Sequence, residues 1–272
     1  MDMRVPVACT VAGSDSGGGA GLQADLRAFA FHRVHGACAV TALTVQDTRT
    51  VSEVLPVEPR FVVAQLDAVH ADLQLDAIKL GLLGRAELVE AIADWLEAHP
   101  GIPVVLDPVM VSRHGVRFVD DATVSSLRGR ILRRAAIVTP NRHEAAELTG
   151  LRVASIEDAE AAARALVDGG AVAALVKGGG LEGEARGQDV LATAHGTERL
   201  VMPPVPTSNT HGTGCTLAAA VAARLARGEA LRDAVWGAKR YVHRALEHAL
   251  AIGHGQGPVG HFWPLVGLEG AP

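Results

Sequence analysis

Short apolar runs recur along this chain, each ending in a polar or glycine-rich segment and most followed by a stretch with helical spacing. The runs at 5–11, 38–45, 77–80, 104–106, 137–138 and 172–176 read as strands. The intervening helices are expected at 22–32, 59–72, 86–98, 122–130, 143–148, 156–167, 217–227 and 231–250, with Pro59 opening one at its first turn. Runs at 190–193 and 198–202 read as two edge strands around His195-Gly196. Strands alternating with helices over short connections predict an α/β fold. Its central sheet is mainly parallel, with helices on both faces. No composition break divides the chain, so residues 1–272 are expected to form a single domain without a separate lid domain. Residues 109–120 lack periodicity, and 111–118 are expected to form a small flap over the substrate.

The composition narrows the function. The chain is 49% hydrophobic, so it can bury a sizeable core. Aromatic residues make up 3%, the net charge is −5 and no basic tract is present, which argues against nucleic acid. No apolar stretch is long enough for a membrane span. Met1-Asp2-Met3-Arg4 does not lead into a signal-peptide pattern, and Cys9, Cys38 and Cys215 are too scattered for a disulfide framework or a metal cluster. The expected location is the cytoplasm.

Polar and glycine-rich segments fall at strand ends again and again: 13–21, 46–49, 79–82, 107–110, 139–144, 177–180 and 207–216. In an open parallel sheet, ligands bind beyond those ends. The most suggestive segment is Thr210-His211-Gly212-Thr213-Gly214-Cys215-Thr216, which feeds an Ala-rich helix. Unpaired amides at a helix start make an anion site, and two glycines permit close approach. The bland alternative is an ordinary helix cap at Thr213. Asn141 with Glu144 enters another helix; that carboxylate can hold Mg2+ through water or simply favour the helix dipole. Lys177, followed by three glycines, can lie along phosphates or be a solvated turn residue.

Other motifs are weaker. Asp15-Ser16-Gly17-Gly18 matches the nucleophile turn of trypsin-like proteases, but those need a β-barrel. Gly19-Ala20-Gly21-Leu22-Gln23-Ala24 matches a dinucleotide fingerprint, yet no acidic residue closes the second strand where a ribose partner belongs. No Walker motif is present. The loop at 210–215, Asn141 with Glu144, and Lys177 fit phosphoryl transfer; a nicotinamide-dependent oxidoreductase using the 19–24 loop and a non-catalytic nucleotide-binding regulator are the alternatives of other classes.

Taken together, residues 12–25, 106–110, 139–144, 209–216 and 253–259 resemble the ribokinase-like superfamily, most closely its hydroxymethylpyrimidine/phosphomethylpyrimidine kinase branch of thiamine biosynthesis. The resemblance implies ATP-dependent phosphorylation of a hydroxymethylpyrimidine and then of its monophosphate. ATP and Mg2+ would be the cofactors, and a homodimer the expected assembly. It assigns Gly13, Asp25, Gln46, Leu82 and Val109 to the pyrimidine pocket. Asp107, Asn141, Lys177, Thr210 and Lys239 go to the nucleotide side, and Asp107 and Glu144 to the metal. Gly212, Thr213, Gly214 and Cys215 form the anion hole. Gln46 favours a pyrimidine over the vitamin B6 compounds of related kinases, because an amide both donates and accepts; a pyridoxine/pyridoxal kinase is the alternative. The family often reads Gln-Asn-Thr and Lys-Gly-Gly-His where this chain has Gln46-Asp47-Thr48 and Lys177-Gly178-Gly179-Gly180. Cys215 stands where most sugar kinases of the superfamily carry an Asp base. Its helix N-terminal position predicts a lowered thiol pKa and a thiolate that takes the acceptor's proton; the alternative is that Cys215 only positions the acceptor.

Overall fold

The computed structural model describes residues 4–112 and 115–265. Met1–Met3 and residues 113–114, within the expected flap, lie outside the described residues. What is described of that segment includes an antiparallel bridge between Val111 and Arg117.

Among the described residues nine strands form one sheet: β1 (Val7–Ser14), β2 (His35–Gln46), β3 (Val51–Pro56), β4 (Ala77–Leu80), β5 (Val104–Leu106), β6 (Ile137–Val138), β7 (Ala173–Val176), β8 (Asp189–Thr193) and β9 (Gly196–Leu200). Their spatial order is β3-β2-β1-β4-β5-β6-β7-β8-β9. The six strands from β2 to β7 run parallel, and β3, β8 and β9 add antiparallel edges. Successive side chains of a strand point to opposite faces, so each strand feeds two cores. Val11, Ile78, Leu80, Val104, Leu106, Val138 and Val176 pack under α2 (Pro59–Leu73), α3 (Ala86–Ala98), α4 (Asp121–Ser126), α5 (Arg142–Thr149) and α6 (Ile156–Asp168). Ala8, Ala77, Val105, Ile137 and Leu175 pack under α1 (Gly21–Phe31), α7 (Thr213–Ala226) and α8 (Leu231–Glu247). The helix α7 is alanine-rich because it lies directly on the sheet, and its residues from Thr216 to Ala223 are all buried.

The sheet departs from expectation at one edge. Strand β3 was not expected: only Val51 is buried along it, so it carries no core pattern, and its pairing with β2 defines it. The helix expected at 122–130 is α only to Ser126 and then continues as a wider π turn over Leu127–Ile131. Helix α7 starts four residues before 217, and its N-cap is Gly212 rather than Thr213.

Candidate active site

A cavity of about 670 Å3 opens at the carboxyl ends of the parallel strands. It collects residues from seven separated segments, as the repeated polar strand ends require.

On one side lies the loop after β1. The Asp15 carboxylate accepts hydrogen bonds from the backbone N–H groups of Gly17 (2.8 Å), Gly19 (3.0 Å) and Ala20 (2.8 Å). The amides that would cradle a dinucleotide pyrophosphate are thus already occupied by the chain's own side chain. His211 Nε2 lies 3.0 Å from the same carboxylate. Burial opposes ionisation of Asp15, but the bond to His211 and these amides outweigh it and lower its pKa. Gly19 is needed here for contact, because a side chain there would overlap the His211 ring. Gln46, at the end of β2, sits beside this pair, with its amide nitrogen 3.4 Å from His211 Nε2. That imidazole nitrogen carries one proton at most and already faces Asp15, so the Gln46 amide retains hydrogen-bonding capacity for a ligand. Gly13, Leu82 and Val109 line the same end. Asp47 Oδ1 accepts from the amides of Arg49 and Thr50, a turn that an Asn side chain can also close.

On the other side, Asp107, Glu144 and Lys177 converge. Lys177 Nζ donates to Asp107 Oδ1 at 2.8 Å and lies 3.9 Å from Glu144 Oε2. Burial would discharge Lys177, but the two carboxylates outweigh it and raise its pKa. Burial likewise opposes ionisation of Asp107, and Lys177 and Lys79 overcome it, lowering its pKa. Glu144 is pushed up to about 7 by burial and by neighbouring Asp107, against the pull of Lys177. Asn141 and Glu144 form a reciprocal cap on α5: Asn141 Oδ1 accepts from the Glu144 amide, and Glu144 Oε2 accepts from the Asn141 amide at 2.7 Å. These oxygen donors, gathered around a cation, suit Mg2+. Glu144 already accepts from the amides of Asn141 and Met110, so it would reach the ion through water. Among the described residues no group of three or more His, Cys, Asp or Glu side chains is arranged to hold a metal.

Between the two sides stands the start of α7. Gly212, the N-cap of α7, is left-handed (φ +78°), and the residues from Gly212 to Cys215 at the helix start line the cavity. Thr213 Oγ1 donates to the Thr210 carbonyl at 2.6 Å and ties the loop shut. Thr210 lines the cavity too.

Three expectations need correction. Cys215 is half-buried on the cavity wall, but its thiol is pushed up to about 12 by burial and by the Asp107 and Asp25 carboxylates, with Lys79 only partly offsetting them. The helix terminus does not produce a thiolate here. Asp25 does not line the cavity; it is buried behind the wall, bonded to Thr10 and Lys79. Lys239 also lies off the cavity, donating to Asp189 Oδ2 and the Gly187 carbonyl at 2.6 Å each. Asp189 in turn accepts from the Gly178 amide at 2.9 Å, so Lys239 braces the turn that follows Lys177. Sequence reasoning missed Asp15, His211 and Lys79. The signal for Lys79 was a charge inside a four-residue apolar strand.

Comparisons with known proteins give the family and the fold. A family model described as phosphomethylpyrimidine kinase matches residues 15–260. The hydroxymethylpyrimidine/phosphomethylpyrimidine kinase of Synechococcus elongatus is 49% identical, over 97% of this chain and 100% of that one. Among solved structures, an ADP complex of Bacillus subtilis pyridoxal kinase superposes with a TM-score of 0.89 and 32% identity, covering 96% of this chain and 98% of that one. A phosphomethylpyrimidine kinase from Clostridium difficile superposes with a TM-score of 0.78 and 31% identity, covering 89% and 99%.

Proposed function

We propose that this chain, which belongs to the phosphomethylpyrimidine kinase family, transfers the γ-phosphoryl group of ATP to 4-amino-5-hydroxymethyl-2-methylpyrimidine and then to its monophosphate, in thiamine biosynthesis. The observation that carries this reading is one ribokinase-like cavity that joins the Gln46 end, the helix-headed anion loop and the Asp107–Lys177–Glu144 cluster.

Gln46 meets the aminopyrimidine edge, where an amide can donate and accept at once. Gly13, Leu82 and Val109 pack on the ring. Lys177, Asn141 and Thr210 lie along the triphosphate, and the amides from Gly212 to Cys215 stabilise the charge that spreads over the transferring group. Asp107 and Glu144 would hold Mg2+ through water; when bound, it neutralises phosphate charge. Cys215 acts as a neutral thiol that aligns the acceptor hydroxyl. Phosphoryl transfer depends mainly on alignment and charge stabilisation, so a strong base is not required for it. The second acceptor, a phosphate, is already anionic near neutral pH.

The chain works as a single cytoplasmic domain, and its three cysteines are free thiols. No helix among the described residues is long and apolar enough to cross a membrane. A homodimer is favoured by the apolar side chains on the β2–β3 hairpin, where Leu43, Val45 and Leu55 are exposed.

The second reading is a pyridoxal kinase, favoured by the TM-score of 0.89 to the Bacillus subtilis enzyme. A coupled assay of ADP formation with the hydroxymethylpyrimidine, its monophosphate and pyridoxal separates the two. Turnover with both pyrimidines supports the first reading, and turnover with pyridoxal alone overturns it.

A further inference from the structure

A lysine in the middle of a fully buried strand needs a reason. Lys79 lies in β4 between Ile78 and Leu80 and is 0% exposed. Its Nζ donates to Asp25 Oδ2 at 2.8 Å, and Thr10 Oγ1 donates to the same oxygen at 2.6 Å. The other oxygen, Asp25 Oδ1, is buried without a hydrogen-bond partner among the described residues. Such a pair is a poor stabiliser: well-packed apolar residues in its place are commonly neutral or better. Folding alone therefore does not account for it.

The surroundings point to the site. Alternation along β4 turns Lys79 toward the face that α7 covers, where Ala77 also packs. The ammonium borders the cavity, and a side chain at Gly81 would come within 2.9 Å of it. Two lysines bracket Asp107: Lys177 holds Oδ1 at 2.8 Å from the open side, and Lys79 stands 4.0 Å from Oδ2 on the buried side. Burial disfavours the Lys79 charge, and the Asp25 carboxylate at 2.8 Å, with Asp107 at 4.0 Å, offsets that penalty. A cation beneath the positive end of a helix is repelled by it. Asp25, with no route to solvent, offsets that repulsion and fixes the cation in place.

We propose that Lys79 is a positioning residue of the phosphoryl-transfer site: a fixed cation beneath the anion loop, clamped by Asp25 and Thr10, that keeps Asp107 and the first turn of α7 in working alignment. The proposal rests on the kinase reading above. It acts through Asp107 and the α7 amides, so its loss lowers kcat more than it weakens nucleotide binding.

Removing Lys79 alone strands a buried carboxylate and risks unfolding, so the pair is neutralised together. The variants are Asp25→Asn, which removes the anion but keeps the lysine side chain, and Asp25→Asn/Lys79→Met, which removes both charges. Thermal unfolding, calorimetric binding of AMP-PCP and kcat are measured for each. The double variant is expected to fold, to bind AMP-PCP within about threefold of wild type and to lose on the order of 10- to 100-fold in kcat. That loss is below the roughly 100-fold or more caused by deleting a donor that touches the transferred group. Asp25→Asn is expected to lose less than the double variant. A double variant with kcat within about twofold of wild type overturns the proposal. So does a parallel fall in melting temperature, AMP-PCP affinity and kcat, which marks the pair as scaffold. A wild type inert toward the pyrimidine overturns the substrate assignment instead, and the same variants are then compared with pyridoxal as acceptor.

Discussion

Gly212→Ala probes the joint on which the site turns. Gly212 holds φ +78°, and a methyl there would overlap the Gly19 carbonyl oxygen. The left-handed backbone alone costs a residue with a Cβ about 1–2 kcal/mol. At roughly 2–4 °C per kcal/mol for a chain of this size, the melting temperature should fall by at least about 2–8 °C. The overlap adds to this, because Gly19 belongs to the loop that Asp15 and His211 pin in place, so relief must move that loop or the start of α7. A displacement of about 1 Å at a site that works by alignment is worth on the order of 100-fold in kcat. Gly228→Ala is the control: its backbone is left-handed too (φ +78°), it lies off the cavity, and a methyl there meets nothing within 4 Å. Differential scanning fluorimetry and a coupled ADP assay read both effects. A Gly212→Ala protein that melts within about 1 °C of wild type and keeps kcat within about twofold would falsify the claim that this joint sets the geometry.

Other residues give sharper tests of single statements. His261 is buried against Thr216 Oγ1 at 2.9 Å, and burial, with Arg27 nearby, holds its pKa down at about 4, against an ordinary 6.5. The unfolded chain takes up this proton first as pH falls, so the stability present above pH 6.5 is lost on acidification toward pH 4, by up to roughly 3 kcal/mol. Urea midpoints across that range should fall less steeply in His261→Gln, and identical slopes would exclude the assignment. With its thiol near 12, Cys215 is about 10⁻⁴ thiolate at pH 8 and should react with iodoacetamide far more slowly than a free thiol. Cys215→Ala should slow both phosphorylations by similar factors, roughly under tenfold; a selective loss of about 100-fold in the first step would restore the general-base role. Gln46→Met should raise KM for the pyrimidine by on the order of tenfold while leaving KM for ATP unchanged. An unchanged pyrimidine KM would remove Gln46 from the pocket.

The strands and most helices were legible because buried parallel strands are short, uniformly apolar and punctuated. Strand β3 was not, since a strand with one buried residue is defined by its neighbour and not by its own pattern. The cavity was legible as a set of strand ends, and Gly13, Gln46, Leu82, Val109, Asp107, Asn141, Glu144, Lys177 and Thr210 all reach it. Lys239 and Asp25 do not, because each is consumed by an ion pair with a residue 50 or 54 positions away, which no local pattern encodes. Cys215 failed differently: the rule that a helix start lowers a thiol pKa is sound, but burial and two nearby carboxylates outweigh it here. Asp15 was weighed as a protease turn and set aside, yet its work lies in the amides it holds and the histidine it faces.

The central claim is that one cavity phosphorylates a pyrimidine alcohol and then the phosphate it has just formed. Phosphorus NMR of a reaction containing the purified protein, the hydroxymethylpyrimidine, ATP and Mg2+ follows both products directly. The account predicts a pyrimidine monophosphate signal that rises and then gives way to the paired signals of the diphosphate. ATP consumed without a phosphorylated pyrimidine, or a phosphate ester that forms only when pyridoxal replaces the pyrimidine, would contradict it.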